Sequence, residues 1–153
     1  MKKYELTAEF IEQWGKKLFR IKALISFGSV EAGELGGYVE KEDNLAQDGD
    51  AWVCDDAWVY GNAEVCGNAD YLLIGRIGSR FSFTTFFKNK DKGITVSCGC
   101  FLGTIAEFRA KVTDTHGNNK HAKMYNLAAD MAELQILGEE HFDKLNTNKS
   151  EPF

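Results

Sequence analysis

The most regular pattern of apolar and polar positions along the chain is a six-residue repeat between residues 53 and 70. A valine recurs at every sixth position, at Val53, Val59 and Val65, and an alanine follows each valine four residues later. Amphipathic helices repeat their apolar positions about every 3.6 residues and half-buried strands about every two, so neither accounts for this period. A period of six predicts a solenoid coil with short flat sides, in which the valines point inward and small residues fill the corners.

The repeat resembles the hexapeptide repeat of the left-handed parallel β-helix. Gly-Asn-Ala triplets at 61–63 and 67–69 supply residues that tolerate the positive φ of sharp corners. With weaker matches that reach back to Val39, the repeat covers about two coils. The best-known proteins with this repeat are acyltransferases, and the resemblance implies many coils and a catalytic histidine. The first histidine of this chain is His116, so we interpret the repeat as a scaffold.

The predicted fold class is mainly β. A short left-handed parallel β-helix of about two coils is capped by N-terminal strands and followed by a small α+β domain with two C-terminal helices. The predicted boundaries are N-terminal strands at 1–30, the β-helix at 31–72, the α+β domain at 73–138 and a mobile tail at 139–153.

The α+β domain is predicted from a change of period after residue 70. Thr104 and Glu107 form a Thr-x-x-Glu capping box, which predicts a helix that begins there and ends near His116. A second amphipathic helix is predicted from about Asn119 to Gly138. Runs rich in β-branched and aromatic residues predict three strands, at 71–74, 81–87 and 94–98.

Composition and cysteine usage are typical of a small globular protein of the cytoplasm. The 153 residues are 44% hydrophobic, and acidic residues interrupt the first dozen positions, so neither a signal peptide nor a membrane span is expected. Cys54 and Cys66 follow inward valines and are expected to point outward as free thiols. Cys98 and Cys100 are expected to be reduced strand cysteines, because a metal site would need further ligands such as His116 or His121.

Charge is distributed unevenly along the chain. The formal net charge is −5, but residues 31–70 contain eleven acidic residues and one lysine. In a coil with regular sides these acids would form ladders, so we expect a rigid acidic face. Such a face repels nucleic acid and attracts basic proteins. The alternative is that the acids only keep the repeat soluble and unpaired with neighbours.

Two tryptophans occupy equivalent positions one repeat apart within this acidic stretch. If Trp52 and Trp58 point outward, they form a binding patch, because exposed aromatic residues are frequent interface hot spots. The alternative is that they pack beneath the N-terminal strands or the C-terminal helices. The predicted partner-binding residues are Trp52, Asp55, Asp56, Trp58, Glu64 and Asp70.

A second candidate site lies in the α+β domain. Arg76, Ser79 and Arg80 surround two glycines, and the helix start at Thr104 offers free backbone amides. Together these groups would hold a phosphate or carboxylate, with His116 as a further ligand-binding residue. Alternatively, the polar side chains are ordinary surface groups, and the histidine interacts with the negative pole of a helix end.

No catalytic pattern is evident in the sequence. The chain carries no nucleophile-base-acid arrangement, no metal-ligand quartet and no paired carboxylates at a diagnostic spacing. We therefore expect a protein that is not an enzyme and that uses no cofactor or metal. A divergent acyltransferase that depends on His116 is the enzymatic alternative.

Beyond the repeat, the chain resembles a family of small phage and prophage proteins that are often labelled polymer-forming or transferase-like. Besides the Gly-Asn-Ala repeats, the resemblance rests on motifs at 18–24, 32–40, 77–80, 98–101 and 115–117. It implies a viral accessory protein in the cytoplasm of an infected bacterium.

Three functional hypotheses remain open. The leading one is an inhibitor of a host-defence system, such as a CRISPR effector, that presents its acidic face to a basic nucleic-acid-binding protein. It predicts salt-sensitive binding that weakens when Asp55, Asp56 and Glu64 are reversed in charge. The others are a protein that sequesters a nucleotide signal around Arg80 and Thr104, and the acyltransferase. A homo-oligomer is expected under all three, because two coils expose much of their flat sides.

Overall fold

The computed structural model of the protein describes residues 2–13, 15–54, 57–99 and 101–149, with side chains up to residue 144. This part of the chain contains eight strands, three α-helices and a π-helical turn. The strands are β1 (Tyr4–Gln13), β2 (Lys16–Ala23), β3 (Leu35–Val39), β4 (Trp58–Val59), β5 (Tyr71–Ile77), β6 (Ser82–Lys88), β7 (Ile94–Cys98) and β8 (Phe101–Thr104). The helices are α1 (Ile105–His116), α2 (Lys120–Ala132) and α3 (Glu139–Lys149), and the π-helical turn is Glu133–Leu137.

The chain forms two compact units. Unit 1 comprises Met1–Asp70 and Phe87–Asp91, and unit 2 comprises Tyr71–Phe86 and Lys92–Phe153. Unit 1 contains a four-stranded sheet in the order β1-β2-β3-β4. The strands of the second sheet follow one another in the order β5-β6-β7-β8, and the three helices belong to unit 2.

The prediction of a short left-handed parallel β-helix is wrong. The described residues form two four-stranded sheets and three helices, an α+β fold. The N-terminal segment that was expected to be a cap is a long antiparallel hairpin of β1 and β2, and β3 adds to it antiparallel. Among the described residues, the hexapeptide region contributes the two-residue strand β4, parallel to β3, and two isolated bridges, Leu45 to Val65 (parallel) and Ala63 to Asn89 (antiparallel).

The six-residue period marks burial in this fold. Val53, Val59 and Val65 are fully buried, as are the corner alanines Ala57 and Ala63. The inward positions of the repeat therefore fill the core of unit 1. β1 and β2 have 10 and 8 residues, so they pair over a longer edge than a two-residue strand does. The antiparallel hairpin therefore determines how the strands of this sheet pair.

In unit 2, α1 and α2 share one core with strands of the second sheet. Phe108 of α1 stands edge-on to Phe86 and to Tyr125, with ring centroids 5.7 and 5.6 Å apart. Small buried residues of α2, including Ala128 and Ala129, allow close packing of its backbone. The first of the two predicted helices is confirmed, since α1 begins at the expected capping box.

The segment that was expected to be a mobile tail contains α3. This helix begins directly after Gly138, whose φ of +98° is a conformation that glycine adopts without strain. None of the described helices is both long enough and apolar enough to cross a membrane.

Candidate functional site: an acidic surface and a tyrosine cluster

Two adjoining segments of unit 1, 42–52 and 63–70, carry six acidic residues. The Asn44 carbonyl accepts a hydrogen bond from the Val65 amide at 3.0 Å. The Asn68 side chain also bonds to the backbone of the first segment. Its Oδ1 accepts a hydrogen bond from the Trp52 amide at 2.9 Å, and its Nδ2 donates one to the Asp50 carbonyl at 3.3 Å. The two segments therefore lie side by side, and their acids lie on neighbouring stretches of unit 1.

The acidic surface is defined as the carboxylates of these two segments other than Glu42, namely Asp43, Asp48, Asp50, Glu64 and Asp70. The three aspartates of the first segment are exposed and the other two side chains are half-buried. Within the described part of the chain, none of the five forms an ion pair, whereas neighbouring Glu42 pairs with Lys2 at 2.6 Å. Carboxylates that form no ion pair repel one another when they lie close together, so a cation brought to these segments would be attracted.

The buried ammonium of Lys3 anchors the loop that carries two of these acids. Its Nζ donates to the carbonyls of Ala51 at 2.7 Å and Gly49 at 3.3 Å, and the residue is 1% exposed. Burial lowers the pKa of Lys3, and the charges of Asp48 and Asp50 oppose that shift. Sequence reasoning missed this lysine, because a lysine near a chain start is ordinarily exposed.

The two tryptophans of the predicted patch are not equally accessible. Trp52 is 5% exposed and packs edge-on against Phe27, with ring centroids 5.4 Å apart. Trp58 is half-buried in β4, where it pairs with Tyr38 of β3. Trp52 therefore belongs to the core of unit 1, because its side chain fills the space beside Phe27, and only Trp58 retains exposed ring surface.

Two of the predicted partner-binding acids, Asp55 and Asp56, lie outside the described residues. Glu64 and Asp70 belong to the acidic surface. The Asp70 carboxylate also accepts backbone hydrogen bonds from Cys66 at 2.9 Å and Gly67 at 3.0 Å, which fix its position.

A second group of polar side chains surrounds Tyr125 in the core of unit 2. The tyrosine cluster comprises Arg80, Thr84, Cys98, His116 and Tyr125. The Cys98 sulfur accepts a hydrogen bond from Thr84 Oγ1 at 3.1 Å, and the His116 ring stacks on the tyrosine ring at 5.8 Å. Burial raises the pKa of Tyr125 to about 12; Cys98 adds to the shift and Arg80 opposes it.

Gly78 makes room for the tyrosine. A Cβ at this position would lie 1.8 Å from the Tyr125 hydroxyl, and the φ of +84° also favours glycine. The hydroxyl is therefore held against the backbone of the Gly-Ser-Arg motif at 78–80, which brings that motif to the cluster.

Of the five predicted anion-binding residues, His116 stacks on Tyr125, and Arg80 follows two residues after Gly78, which meets the tyrosine hydroxyl. Thr104 is already used, because its amide donates to Glu107 Oε1 at 2.9 Å and its Oγ1 accepts from the Glu107 amide at 3.1 Å. The Glu107 carboxylate therefore occupies the start of α1, where a bound anion was expected. Arg76 Nε donates to the Phe81 carbonyl at 3.3 Å, and Ser79 is exposed.

His121 carries an unusual nitrogen. Its ring lies 5.4 Å from that of His116, and its buried Nδ1 has no hydrogen-bond partner among the described atoms. No group of three or more histidine, cysteine, aspartate or glutamate side chains in the described ranges is arranged to hold a metal ion. Cys100 lies outside those ranges.

An ion triad that sequence reasoning missed joins α1 to the end of α2. Arg109 donates hydrogen bonds to Glu133, to Asp130 at 2.7 Å and to Asn126 Oδ1 at 3.0 Å. Burial acts to lower the pKa of Arg109, but the hydrogen bonds to Glu133 and Asp130 raise it overall. The i,i+3 spacing of the two acids was the available signal in the sequence, because it places both carboxylates on one helix face.

Comparison with protein-family models found no match to this chain, and comparison with curated proteins found none either.

Proposed function

We propose that the protein is a non-enzymatic binding protein that captures a basic protein on its acidic surface. The observation that carries this proposal is that Asp43, Asp48, Asp50, Glu64 and Asp70 lie on two adjoining segments and form no ion pair in the described structure. The ammonium of Lys3, which acts on Asp48 and Asp50, is buried. A basic partner would supply the missing counter-charges, and such complementarity increases both association rate and specificity.

The rigidity of the first segment supports a binding role. Lys3 holds the carbonyls of Ala51 and Gly49 from the interior, so the neighbouring aspartates sit on a loop with a fixed backbone. A preformed surface loses less conformational entropy on binding than a flexible one, which favours affinity.

The partner we propose is a nucleic-acid-binding effector of a bacterial defence system, such as a CRISPR effector. Proteins of that class present grooves lined with lysine and arginine to bind phosphates, and an acidic surface is complementary to such a groove. The resemblance of the motifs to those of phage proteins supports this choice, and we propose that the encounter takes place in the cytoplasm of an infected bacterium.

Reversing three carboxylates tests the proposal. The variant Asp43→Lys, Asp48→Lys, Glu64→Lys is expected to lose the retention of a basic protein from bacterial lysate, because it replaces attraction by repulsion. The measurement is mass spectrometry of the retained proteins at about 0.05 M and about 0.3 M salt, between which the Debye length falls to about 6 Å.

A matched control changes the net charge equally but elsewhere. The control is the triple variant Glu5→Lys, Asp114→Lys, Asp143→Lys. All three of its altered residues are exposed and lie outside the acidic surface. Retention of the same basic protein by the wild type and by this control, with loss in the first variant, supports the proposal. Equal retention by both variants would show that the acidic surface is not the binding site.

A second candidate function is the sequestration of a nucleotide at the tyrosine cluster. The specific observation in its favour is that the Gly-Ser-Arg motif at 78–80 meets the Tyr125 hydroxyl at Gly78, while the half-buried His116 ring stacks on the tyrosine ring. Arg80, the last residue of that motif, is exposed. A guanidinium next to aromatic rings suits a phosphate joined to a base.

Thermal unfolding tests the second candidate. Adenosine and guanosine nucleotides are expected to raise the melting temperature of the wild type by several degrees, because a ligand that binds only the folded state stabilises it. Arg80→Ala is expected to abolish that shift, while Lys111→Ala, an exposed change on α1, should keep it. Absence of any shift in the wild type would exclude the nucleotide hypothesis.

A further inference from the structure

Two phenylalanines at the beginning of β6 are exposed, although the middle of that strand is buried. Phe81, which directly precedes the strand, is 67% exposed and Phe83 is 48% exposed, whereas residues 84–87 are buried. Successive side chains of a strand point to opposite faces of a sheet, so Phe83 lies on the face opposite Thr84 and the tyrosine cluster. The two rings are therefore separate from the candidate nucleotide site.

The Phe83 ring lies over a glycine of the neighbouring strand. A Cβ at Gly75 of β5 would lie 2.4 Å from Cδ1 and 2.9 Å from Cγ of Phe83. The ring therefore packs against the backbone of β5 on one side, and about half of the residue stays open to solvent. An aromatic ring that is supported on one side and open on the other is a surface on which a second flat ring can stack.

Phe81 is held outward by a strained backbone. Its φ is +47°, in the left-handed region that a bulky side chain rarely adopts. Its amide donates to the Gly78 carbonyl at 3.2 Å, and its carbonyl accepts from Arg76 Nε at 3.3 Å, so the turn is bonded on both sides. Backbone strain of this kind is found at functional sites, and its result here is a ring presented to solvent.

The charges around the two rings are positive. Residues 71–90 contain no acidic residue and four basic ones, Arg76, Arg80, Lys88 and Lys90. Both arginines are exposed, and the ion pairs among the described residues involve neither of them. A ligand that combines negative charge with flat rings is therefore complementary to this segment.

We propose that Phe81, Phe83 and Arg76, the phenylalanine platform, bind single-stranded nucleic acid. Exposed aromatic rings stack on bases of any sequence, and a guanidinium beside them attracts the phosphates between the bases. A single strand fits better than a duplex, because the bases of a duplex are already stacked on each other and do not offer their faces. The platform belongs to unit 2 and does not depend on the acidic surface of unit 1.

A lipid surface is the other partner to which arginines and phenylalanines are suited. Binding to a bilayer requires apolar side chains that project beyond the fold and enter the acyl region. Phe83 instead lies against the backbone of β5, so its ring can receive a base but reaches little beyond the sheet. The geometry therefore favours stacking over insertion.

Fluorescence anisotropy of a labelled single strand of about twelve thymidines tests the proposal. The wild type is expected to bind it in the micromolar range at about 0.05 M salt, and to bind a duplex of the same length about tenfold more weakly. Phe83→Leu keeps an apolar side chain over Gly75 but has no ring for stacking, so we expect about tenfold weaker binding of the single strand. Phe83→Tyr keeps the ring and should bind like the wild type.

Three results would overturn the proposal. They are no binding of the single strand by the wild type, equal binding by Phe83→Leu and the wild type, and binding to vesicles of phosphatidylcholine and phosphatidylserine without binding of the single strand. The last result would assign the two rings to a lipid surface instead.

The salt dependence of the same titration tests the role of Arg76. Arg76→Ala is expected to lower the slope of the logarithm of the binding constant against the logarithm of salt concentration by about one, because one phosphate contact is lost. Lys111→Ala, an exposed change on α1, should keep the wild-type slope. Equal slopes for Arg76→Ala and the wild type would show that this guanidinium does not contact the strand.

Phe81→Gly separates a binding role from a structural one. Glycine adopts a φ of +47° without strain, so this variant should keep or raise the melting temperature of the wild type while it binds the single strand about tenfold more weakly. A lower melting temperature together with unchanged binding would mean that Phe81 serves the fold and not the ligand.

Discussion

Replacing Arg109 with alanine is expected to lower the free energy of unfolding of unit 2 by about 3–5 kcal/mol. Arg109 is the only cation that the described structure shows bound to Glu133, which is 5% exposed. Without the guanidinium this carboxylate stays buried beside Asp130, and both charges lose their partner. The measurement is urea denaturation followed by circular dichroism at helix wavelengths, because α1, α2 and α3 all belong to unit 2.

Two further variants test whether the loss of stability comes from the ion triad. Lys111→Ala removes an exposed charge from the same helix and should change stability by less than about 0.5 kcal/mol. Combining Arg109→Met with Glu133→Met should recover most of the stability, because an apolar pair needs no hydrogen bonds. An Arg109→Ala variant as stable as Lys111→Ala would mean that the triad does not hold α1 to α2.

Replacing Gly36 with alanine is expected to destabilise unit 1 by about 3 kcal/mol or more, because a well-packed core does not accept an added methyl group. The new Cβ would lie 2.5 Å from the Val53 carbonyl oxygen, 2.7 Å from Trp52 and 2.8 Å from Ile21. Since the nearest atom is backbone, the strand β3 would have to move away from the segment that it packs against. Tryptophan fluorescence reports on this change, because all three tryptophans lie within residues 1–70.

Gly67 provides the matched control for this substitution. A Cβ there meets nothing closer than 4.0 Å, and its φ is not in the positive range. Gly67→Ala should therefore leave the denaturation midpoint almost unchanged. If Gly36→Ala were as stable as this control, the close approach of β3 to Val53 would be incorrect.

The hydrophobic period predicted which residues are buried but not how the strands pair. Val53, Val59 and Val65 would be inward in a coil and are buried in the observed fold, so burial alone does not distinguish the two folds. Pairing depends on β1 and β2, whose alternating pattern was interpreted as a cap. The long hairpin edge gives more backbone hydrogen bonds than two short coils, and this tertiary effect is not visible in the repeat itself.

Features that depend on residues close together in sequence were predicted correctly. The capping box at Thr104 and Glu107 predicted the start of α1, because both hydrogen bonds form within four residues. The same box removes Thr104 from the candidate anion site, since the side chain of Glu107 fills the position that a ligand would take.

Long-range polar contacts were the least predictable part of the candidate sites. The Ala51 carbonyl that accepts from Lys3 lies 48 residues away in sequence. The Asp130 carboxylate reaches Arg109 only when α1 and α2 pack together. The acidic composition of residues 31–70 was evident from the sequence, but the adjacency of its two segments follows only from hydrogen bonds such as Val65 to Asn44. Trp52 was interpretable either way, and its burial beside Phe27 is a packing outcome.

The most direct test of the central claim is an equilibrium titration of the purified retained protein against wild type, acidic-surface variant and control. The account predicts that the dissociation constant of the wild type rises steeply with salt and that Asp43→Lys, Asp48→Lys, Glu64→Lys raises it about 100-fold at low salt. The Glu5→Lys, Asp114→Lys, Asp143→Lys control should remain close to the wild type. A salt-independent constant that is the same for all three proteins would contradict the claim that the acidic surface binds the partner.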